Sequence, residues 1–547
     1  MPYINMKIAI LDGYVDEPSC LGVPPYIAPY PRYTWGMLKH LGADSCSYFT
    51  IDTFRADAEL QEKLSEFDLL IVIAGAIVPG KYLGGMPLAK TELHRVAIAK
   101  HNILVGPITL ELTKQDRASE ALKKIEIIDL PFEERLYEHL CKTLHVPVSG
   151  YDLNRFALLG AEVMNQHPDY PFVVCEMETY RGCYWSRCSF CIERFQQRWM
   201  RPPKSVLAEF ERLYAYGARY FRLGRQTDFL TYMADFNQEF PKPESEKMRG
   251  FHAAIWQLCP DIRTLHLDNI NPKTIATYPE ESREVIKTIV QFQTPGNVAV
   301  FGLETADEQV IKANTLATLP EEVLFAVEQV NELGKERGAN GMPKFLPGLN
   351  FVTGLKGETK ETFDKNYEFL QVILDKGLLL RRINIRQVKI LPGTPMAEFG
   401  YKNLKRHKKL FKAFKRHVRE EIDREMLRRI IPVGTVLSDL RCEMQKGKIT
   451  FARHLGSYPI LVGIVGNYER NRFLDAKVTD HGMRSITAIE YPLNINKARM
   501  HQIEAITGIG NRTAARIVRN SPFESLEALK RDIGDELYHK LKDFVCV

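Results

Sequence analysis

The sequence predicts an α/β protein in which two parallel sheets are followed by a small β-barrel and a helical end. Short apolar runs of strand length alternate with helical patterns over residues 1–125 and again over residues 171–400. Strands that alternate with helices in this way form parallel sheets. Residues 432–493 then change to short β-like segments separated by glycines and polar turns, which is the pattern of a small closed barrel.

Composition is that of a soluble globular protein. With 547 residues the chain is long enough for roughly three to four domains. Ten cysteines, three of them clustered, do not indicate a disulfide framework, and the net charge is only +6. No signal peptide and no apolar run of about 18 residues is evident, so we expect a cytoplasmic protein without membrane attachment. The predicted segments are 1–125 (first sheet), 126–170 (helical connector), 171–400 (second sheet), 401–431 (basic helix), 432–493 (small barrel) and 498–547 (helical end).

The most informative stretch contains Cys183, Cys188 and Cys191, in the spacing Cys-x4-Cys-x2-Cys. Thiolates are soft ligands that suit zinc or an iron–sulfur cluster. A structural zinc site needs four protein ligands, and the nearest other candidates, Cys175 and Cys259, form no second pair. Three thiolates therefore leave one metal position open. The alternatives are a zinc knuckle and chance clustering of free thiols.

This stretch resembles the radical S-adenosylmethionine (SAM) superfamily, of which residues 171–400 would form the partial (β/α)6 barrel. Arg181 and Gly182 match the usual lead-in to the first cysteine, and Phe190 is the aromatic residue before the third. The first gap is four residues here, against the usual three. The resemblance implies that the three cysteines hold a [4Fe–4S] cluster whose open iron is chelated by SAM. One electron from a ferredoxin- or flavodoxin-like protein would then cleave SAM to a 5′-deoxyadenosyl radical.

The same resemblance proposes residues that contact SAM, in addition to Phe190 beside the cluster. Gly224, Arg225 and Gln226 follow the strand after the cysteine loop, where the superfamily binds the methionine amine. Glu304 lies in a segment similar to a strand of the tRNA methylthiotransferases and would accept from a ribose hydroxyl. A buried salt bridge is the alternative role for Glu304. Arg386, on a later strand, would reach the SAM carboxylate.

The first sheet, a Rossmann-like domain, resembles the cobalamin-binding domain that some radical SAM enzymes carry. Its Asp-x-His-x-x-Gly signature is absent, because Asp12 is followed by Gly13 and Tyr14. Cobalamin is therefore not expected, and substrate docking or packing is the alternative role of this domain.

Three C-terminal features indicate a polyanionic partner. The 401–431 helix carries apolar residues at helical spacing on one face and dense positive charge on the other. The small barrel resembles the RNA-binding TRAM domain, in which Arg453 would face a polyanion. Residues 503–517 resemble a helix-hairpin-helix motif, in which Gly508 and Gly510 would offer backbone N–H groups to a phosphate. On the helix, the candidate phosphate contacts are Lys408, Lys409, Lys412 and Lys415.

Three functions remain open from the sequence. The first is a radical SAM enzyme that modifies RNA, most plausibly tRNA. A methylthiotransferase is disfavoured, because the N-terminal cysteines Cys20, Cys46 and Cys141 are too widely spaced for a second cluster. The second is a radical SAM enzyme, with or without cobalamin, that acts on a small molecule, lipid or protein. The third is a non-catalytic nucleic-acid-binding protein with a structural cluster, although structural clusters usually have four thiolates.

Overall fold

A computed structural model describes residues 6–15, 25–75, 85–148 and 150–547 of the chain. Cys20 lies outside these ranges. Within them, no helix has both the length and the apolar character needed to cross a bilayer.

The N-terminal sheet has five parallel strands, and four of them fall where the sequence predicts strands. Ile8–Asp12 and Leu69–Ile73 are buried throughout, as expected for apolar strands covered on both faces. The strand order is Cys46–Thr50, Ile8–Asp12, Leu69–Ile73, His101–Val105 and Glu126–Ile127. The helices of this region and of the connector are Pro29–His40, Ile51–Ala56, Ala58–Leu64, Lys114–Arg117, Glu133–Thr143 and Leu153–Leu159, with 3-10 turns at Lys90–Arg95, Pro107–Glu111, Leu122–Lys124 and Gly160–Gln166.

A second set of parallel strands forms a six-stranded partial barrel in chain order, and all six predicted strands are found. Two sheets meet at a single bridge between Asn269 and Val300. The strands are Val174–Glu178, Tyr220–Gly224, Thr264–Leu267, Asn297–Glu304, Phe345–Thr353 and Arg382–Gln387. The helices around them are Pro203–Ala215, Ser245–Leu258, Pro272–Thr277, Pro279–Phe292, Glu308–Asn314, Pro320–Gly334, Lys360–Asp375 and Pro395–Phe399.

One further strand of this barrel comes from the N-terminal part of the chain. Tyr26–Ile27 pairs in parallel with Val174–Glu178 and extends the barrel on its open side. The helix that follows, Pro29–His40, is held against the barrel by a fully buried ion pair, with 2.8 Å between Arg32 Nη2 and Glu209 Oε1. The segment 25–40 therefore links the two parallel sheets.

Residues 436–490 form a closed five-stranded barrel. Its strands are Val436–Lys446, Ile449–Arg453, Leu461–Val465, Phe473–His481 and Ser485–Glu490. The third strand pairs in parallel with the fifth, and the fourth closes on the first. This is the strand order of the OB-fold, a small Greek-key barrel.

A loop of the small barrel enters the partial barrel at the amino ends of its strands. The Thr264 hydroxyl donates to the Leu455 carbonyl at 2.6 Å, and the Ser457 N–H donates to His266 Nδ1 at 3.0 Å. Tyr458 then lies inside the lumen, where its hydroxyl bonds Asp268 and the Arg382 guanidinium lies 4.0 Å from its ring centre. The small barrel therefore closes this end of the partial barrel.

The basic segment 401–431 is a series of helical pieces rather than one regular helix. They are Lys402–Arg406, Lys408–His417, a π-helical turn at Val418–Asp423, and Arg424–Ile430. The break at His407 has a physical cause, because the His407 ring turns inward and pairs with buried Glu358 at 2.8 Å. Arg419 is one of the cations of this segment, but it does not lie on an exposed basic face. Arg419 is buried, pairs with Asp423 and donates to the Ile383 carbonyl at 2.9 Å.

The C-terminal end is a small helical unit on the five-stranded barrel. Two helices, Met500–Glu504 and Asn511–Asn520, flank a hairpin in which Gly508 has a φ of +86°. Ala514 is fully buried beside them. Thr507 fixes the hairpin to the barrel by donating to the Thr479 carbonyl at 3.0 Å. The remaining elements are the helices Leu526–Ile533 and Asp535–Leu541 and the paired strands Leu493–Asn494 and Val545–Cys546.

Candidate active site

The three cysteines of the predicted cluster lie on one loop at the carboxyl end of the first barrel strand. This is the end at which barrel active sites form. All three are half-buried. Burial raises the pKa of the Cys191 thiol to about 12. Burial also raises the pKa of the Cys188 thiol, and the neighbouring charges of Cys191 and Cys183 raise it further. Buried thiols with raised pKa values are poor thiolates by themselves, and a bound metal would supply the missing positive charge.

The cysteine loop is anchored to the opposite wall of the barrel. The Ser189 hydroxyl donates to Asn314 Oδ1 at 2.7 Å, and the Ser189 N–H donates to the Asn314 carbonyl at 3.0 Å. Asn314 in turn donates to the Lys356 carbonyl at 2.8 Å. The loop is therefore held in place by protein contacts that do not involve the cysteines.

Phe190 is half-buried and belongs to the apolar cluster under this loop. Its neighbours there include Leu355, Val388 and Met396. The structure therefore gives Phe190 a packing role beside the cysteines.

Glu304 is the most unusual ionisable group near the cysteines. Its side chain is half-buried, but its Oε2 atom is shielded from solvent and has no hydrogen-bond partner within the described residues. Burial alone raises the pKa of Glu304 to about 8. Its charge also raises the pKa values of Cys188 and Cys191, so the three groups are close neighbours. A buried carboxyl without a partner is costly, which indicates a place for a ligand that donates a hydrogen bond.

Three thiols on one loop form a donor set that suits a [4Fe–4S] cluster. Across the described ranges, no three His, Cys, Asp or Glu side chains converge on one metal position. In a four-iron cluster each thiolate binds a different iron, so the sulfur atoms need not converge. Three thiols on one loop, with an unpartnered carboxyl beside them, match such a cluster and a further ligand on its fourth iron.

A polar cavity of about 280 Å³ occupies the lumen. Asn269 comes from the third strand region, Asn350 lies on the fifth strand, and Tyr458 forms one wall. The other polar groups that line it are Tyr30, Glu176, Glu193, Arg225, Gln226, Thr227 and Asp268. Several groups that donate or accept hydrogen bonds therefore face one enclosed space, as in a ligand site.

Arg225 and Gln226, which the sequence proposes as SAM contacts, lie on the wall of this cavity. Arg225 has a φ of +66°, and its guanidinium lies 4.9 Å from the Tyr30 ring centre. Gln226 accepts from the Thr179 hydroxyl at 3.0 Å and donates to the Leu223 carbonyl at 3.0 Å. The Gln226 amide is thus fixed by protein contacts, whereas Arg225 presents a charge to the cavity.

Gly224 is needed because a side chain at this position would collide with a neighbouring residue. A Cβ atom at this position would lie 2.2 Å from Glu176 Oε1. Glu176 cannot move away freely, because its carboxylate pairs with Arg222 at 2.8 Å and accepts from the Tyr26 hydroxyl. The glycine therefore makes room for a buried ion pair in the lumen.

We expect Gly224→Ala to displace Glu176 and to cost about 3 kcal/mol of stability, the typical cost of breaking a buried ion pair. SAM cleavage should fall with it, because Arg225 is the next residue. Thermal unfolding and an activity assay measure both effects. Gly250→Ala is the control, since no atom lies within 4 Å of its added Cβ. A Gly224→Ala protein as stable and active as Gly250→Ala would contradict this explanation.

Arg386 lies on the sixth barrel strand, opposite Val352 in the register, and is half-buried. Its charge contributes to lowering the pKa of Lys415, so it lies near the basic segment as well as the lumen. The structure brings Arg386 to the same end of the barrel as the cysteine loop.

The residues predicted to bind nucleic acid have different environments. Lys408, Lys409 and Lys412 are exposed, as are Gly508 and Gly510. Lys415 is half-buried, and burial, together with the nearby cations Arg419, Arg484 and Arg386, lowers its pKa. Arg453 is not on an exposed surface, which corrects the expectation from the sequence. It is buried and pairs with Glu443 at 2.7 Å.

Sequence reasoning missed several groups that line the lumen. Glu193 lies two residues after the third cysteine, and this closeness in sequence could have identified it as a residue of the site. Tyr26 and Tyr458 gave no local signal, because they reach the lumen from segments far away in the chain.

Two archaeal proteins are closely similar to this chain. An uncharacterized protein of Archaeoglobus fulgidus is 58% identical over 503 residues, which cover 92% of this chain and 93% of that protein. An uncharacterized protein of Methanocaldococcus jannaschii is 42% identical over 506 residues, which cover 88% of this chain and 92% of that protein. No protein-family model matches the chain.

Among solved structures, the chain is similar to TsrM, a radical S-adenosylmethionine methyltransferase from Kitasatospora setae with cobalamin and a [4Fe–4S] cluster bound. The TM-score is 0.48 at 13% identity, over 71% of this chain and 73% of TsrM. OxsB, a cobalamin-dependent S-adenosylmethionine radical enzyme, gives a TM-score of 0.49 at 13% identity, over 74% of this chain and 61% of OxsB. At TM-scores below 0.5 neither likeness says what this chain binds or does.

Proposed function

The chain belongs to the family of its two archaeal relatives, and we propose that it is a radical SAM enzyme that reductively cleaves SAM. The observation that carries this proposal is the position of the three cysteines. They share one anchored loop at the carboxyl end of a six-stranded parallel barrel, beside an unpartnered carboxyl and a polar cavity.

The cysteines Cys183, Cys188 and Cys191 would hold the [4Fe–4S] cluster. The cluster supplies the electron that breaks a sulfur–carbon bond of SAM and so initiates hydrogen abstraction from a substrate. Glu304 accepts from a hydroxyl of the bound ligand, which satisfies its buried oxygen. Arg225 and Arg386, on the second and sixth strand ends, provide positive charge for a carboxylate.

Exclusion of water is the second task of the protein in such chemistry. Tyr458 and its loop close the amino end of the lumen, and the Tyr26 strand covers the open side of the sheet. The cavity is thereby walled by elements from three regions of the chain. Release of 5′-deoxyadenosine under a strong one-electron reductant tests the reaction.

For the substrate, we propose RNA, with tRNA as the first candidate. The exposed Lys408, Lys409 and Lys412 support this, as do the OB-type strand order of the small barrel and the exposed hairpin at Gly508. The electron donor is a one-electron reductant protein of the ferredoxin or flavodoxin type. The direct experiment is anaerobic purification followed by sequencing and mass analysis of any bound RNA. Protein that retains no RNA under low salt would contradict the RNA proposal.

The N-terminal domain is not expected to bind cobalamin through a lower axial His. Asp12, where the cobalamin signature would begin, accepts from the Tyr48 hydroxyl at 2.7 Å and from the Tyr14 N–H at 2.9 Å. Protein purified from cells supplied with cobalamin should therefore show no spectrum of His-ligated corrinoid. A stoichiometric corrinoid with His coordination would refute this prediction.

A further inference from the structure

A second cavity, of about 520 Å³, lies between the N-terminal sheet and the five-stranded barrel. Tyr14 follows the first strand of that sheet, and Arg441, Glu443 and Phe451 come from the barrel. Tyr26 lines this cavity and also the lumen cavity, so it forms a wall common to both. The second cavity contains none of the predicted cluster or SAM residues.

Two charged groups in this cavity lack hydrogen bonds that their burial calls for. Arg441 is 1% exposed, and its Nη1 atom makes no hydrogen bond to any described residue. Glu443 Oε1 is likewise without a hydrogen-bond partner in the described part of the chain. Arg441 Nη1 and Glu443 Oε1 are 3.8 Å apart, which is too long for a direct hydrogen bond. A group placed between them could accept from the first atom and donate to the second.

The other contacts of these side chains hold them in place. Arg441 Nη2 pairs with Asp169 at 2.5 Å, and its Nε donates to Asn471 at 2.9 Å. Glu443 Oε2 accepts from Arg453 Nε at 2.9 Å. Each therefore presents one polar atom that makes no hydrogen bond and is held in a fixed position: a donor from Arg441 and an acceptor from Glu443.

His167 adds a second donor. Its Nδ1 atom accepts from the Asp169 N–H at 3.1 Å, and burial lowers the pKa of His167 to about 4, so the neutral ring carries its proton on Nε2. Nε2 has only a weak contact with the Tyr26 backbone and no hydrogen bond of normal geometry among the described residues.

The barrel also contributes an aromatic and an apolar side chain to the wall of this cavity. Phe451 lies on the second strand of the barrel and Leu461 begins the third, and both are half-buried. In OB-folds this part of the barrel binds oligonucleotides, whose unstacked bases pack on aromatic side chains.

We propose that this cavity binds one unstacked nucleobase of the RNA, a proposal that rests on the RNA substrate proposed above. Arg441 donates to an acceptor on the edge of the base, Glu443 accepts from an amino or imino group, and Phe451 supplies a stacking face. Arginine with carboxylate is a pair that recognises base edges. Because Tyr26 separates this cavity from the lumen, the bound base is one that is recognised beside the reacting nucleotide.

The test is binding of the four free ribonucleosides to the full-length protein, measured by equilibrium dialysis. Nucleosides carry no phosphate, so the basic helix does not contribute. At least one nucleoside should bind, and Phe451→Ala or Glu443→Gln should weaken that binding about tenfold. Glu490→Gln is the matched control, because Glu490 pairs with Arg472 on the same barrel but outside the cavity. The Glu490→Gln protein should bind nucleosides as tightly as the wild type.

Leu461→Trp, which fills the cavity, is a second variant in case Glu443→Gln lowers the melting temperature. It should abolish nucleoside binding while the protein stays folded. Absence of nucleoside binding to the wild-type protein, or equal binding in all variants, would overturn the proposal.

Binding of a tRNA pool is measured separately. If tRNA binds and nucleosides do not, this pocket is wrong and the RNA proposal stands. If nucleosides bind with the expected losses and tRNA does not, the pocket stands and the RNA substrate is wrong.

Discussion

Alanine in place of Cys183, Cys188 or Cys191 is expected to remove nearly all iron from the anaerobically purified protein and to abolish SAM cleavage. The wild-type chain should hold roughly four irons and show the broad absorption of an iron–sulfur cluster. Each substitution removes one of only three protein ligands. Iron and sulfide analysis, with absorption spectroscopy, measures the loss.

Cys546→Ala provides the matched control for this experiment. Cys546 is half-buried like the three loop cysteines but lies on the C-terminal strand Val545–Cys546. Its iron content should equal that of the wild type. Stoichiometric zinc without iron in the wild-type protein would mean that the loop is a zinc site and that the proposed chemistry is wrong.

Replacement of Lys408, Lys409, Lys412 and Lys415 by Gln is expected to weaken RNA binding and to reduce its dependence on salt. If the protein neutralises about five phosphates of the RNA, log Kd should vary with log salt with a slope on the order of 4 in magnitude. Removal of the exposed lysines should flatten that slope. Lys415 should contribute least, because it is half-buried among other cations. Cleavage of SAM without substrate should remain intact.

A charge-matched control separates a local surface from net charge. Four exposed lysines of the N-terminal domain serve this purpose: Lys63, Lys100, Lys123 and Lys124. Their replacement by Gln removes the same charge and should leave the slope unchanged. A folded tRNA pool should also bind more tightly than duplex DNA of equal charge at one ionic strength. Equal affinity, or a preference for DNA, would favour a small-molecule, lipid or protein substrate.

The elements that the sequence predicts well are those with a strong local pattern. The six barrel strands alternate with helices, and they occur in chain order. The cysteine loop is recognisable because its three thiols are close in sequence. The hairpin at Gly508 follows from glycines and apolar residues within a dozen positions.

The features that sequence reasoning missed depend on contacts between distant segments. Tyr26–Ile27 is only two residues long, too short to show a strand pattern, and it is fixed by pairing with Val174–Glu178. Tyr458 reaches the lumen only because the small barrel docks on the partial barrel. Arg453 lies on the same face of its strand as Phe451, outside the barrel core, and it is buried because it lines the cavity beside Glu443, with which it pairs.

The most direct test of radical SAM chemistry is the product formed from SAM by anaerobic protein with reconstituted iron, with and without dithionite. Liquid chromatography with mass detection quantifies 5′-deoxyadenosine and S-adenosylhomocysteine in the same reaction. The structure predicts 5′-deoxyadenosine that appears only with the reductant and is lost in Cys188→Ala. S-Adenosylhomocysteine as the only product, formed at the same rate without reductant, would identify an ordinary methyltransferase and contradict the central claim.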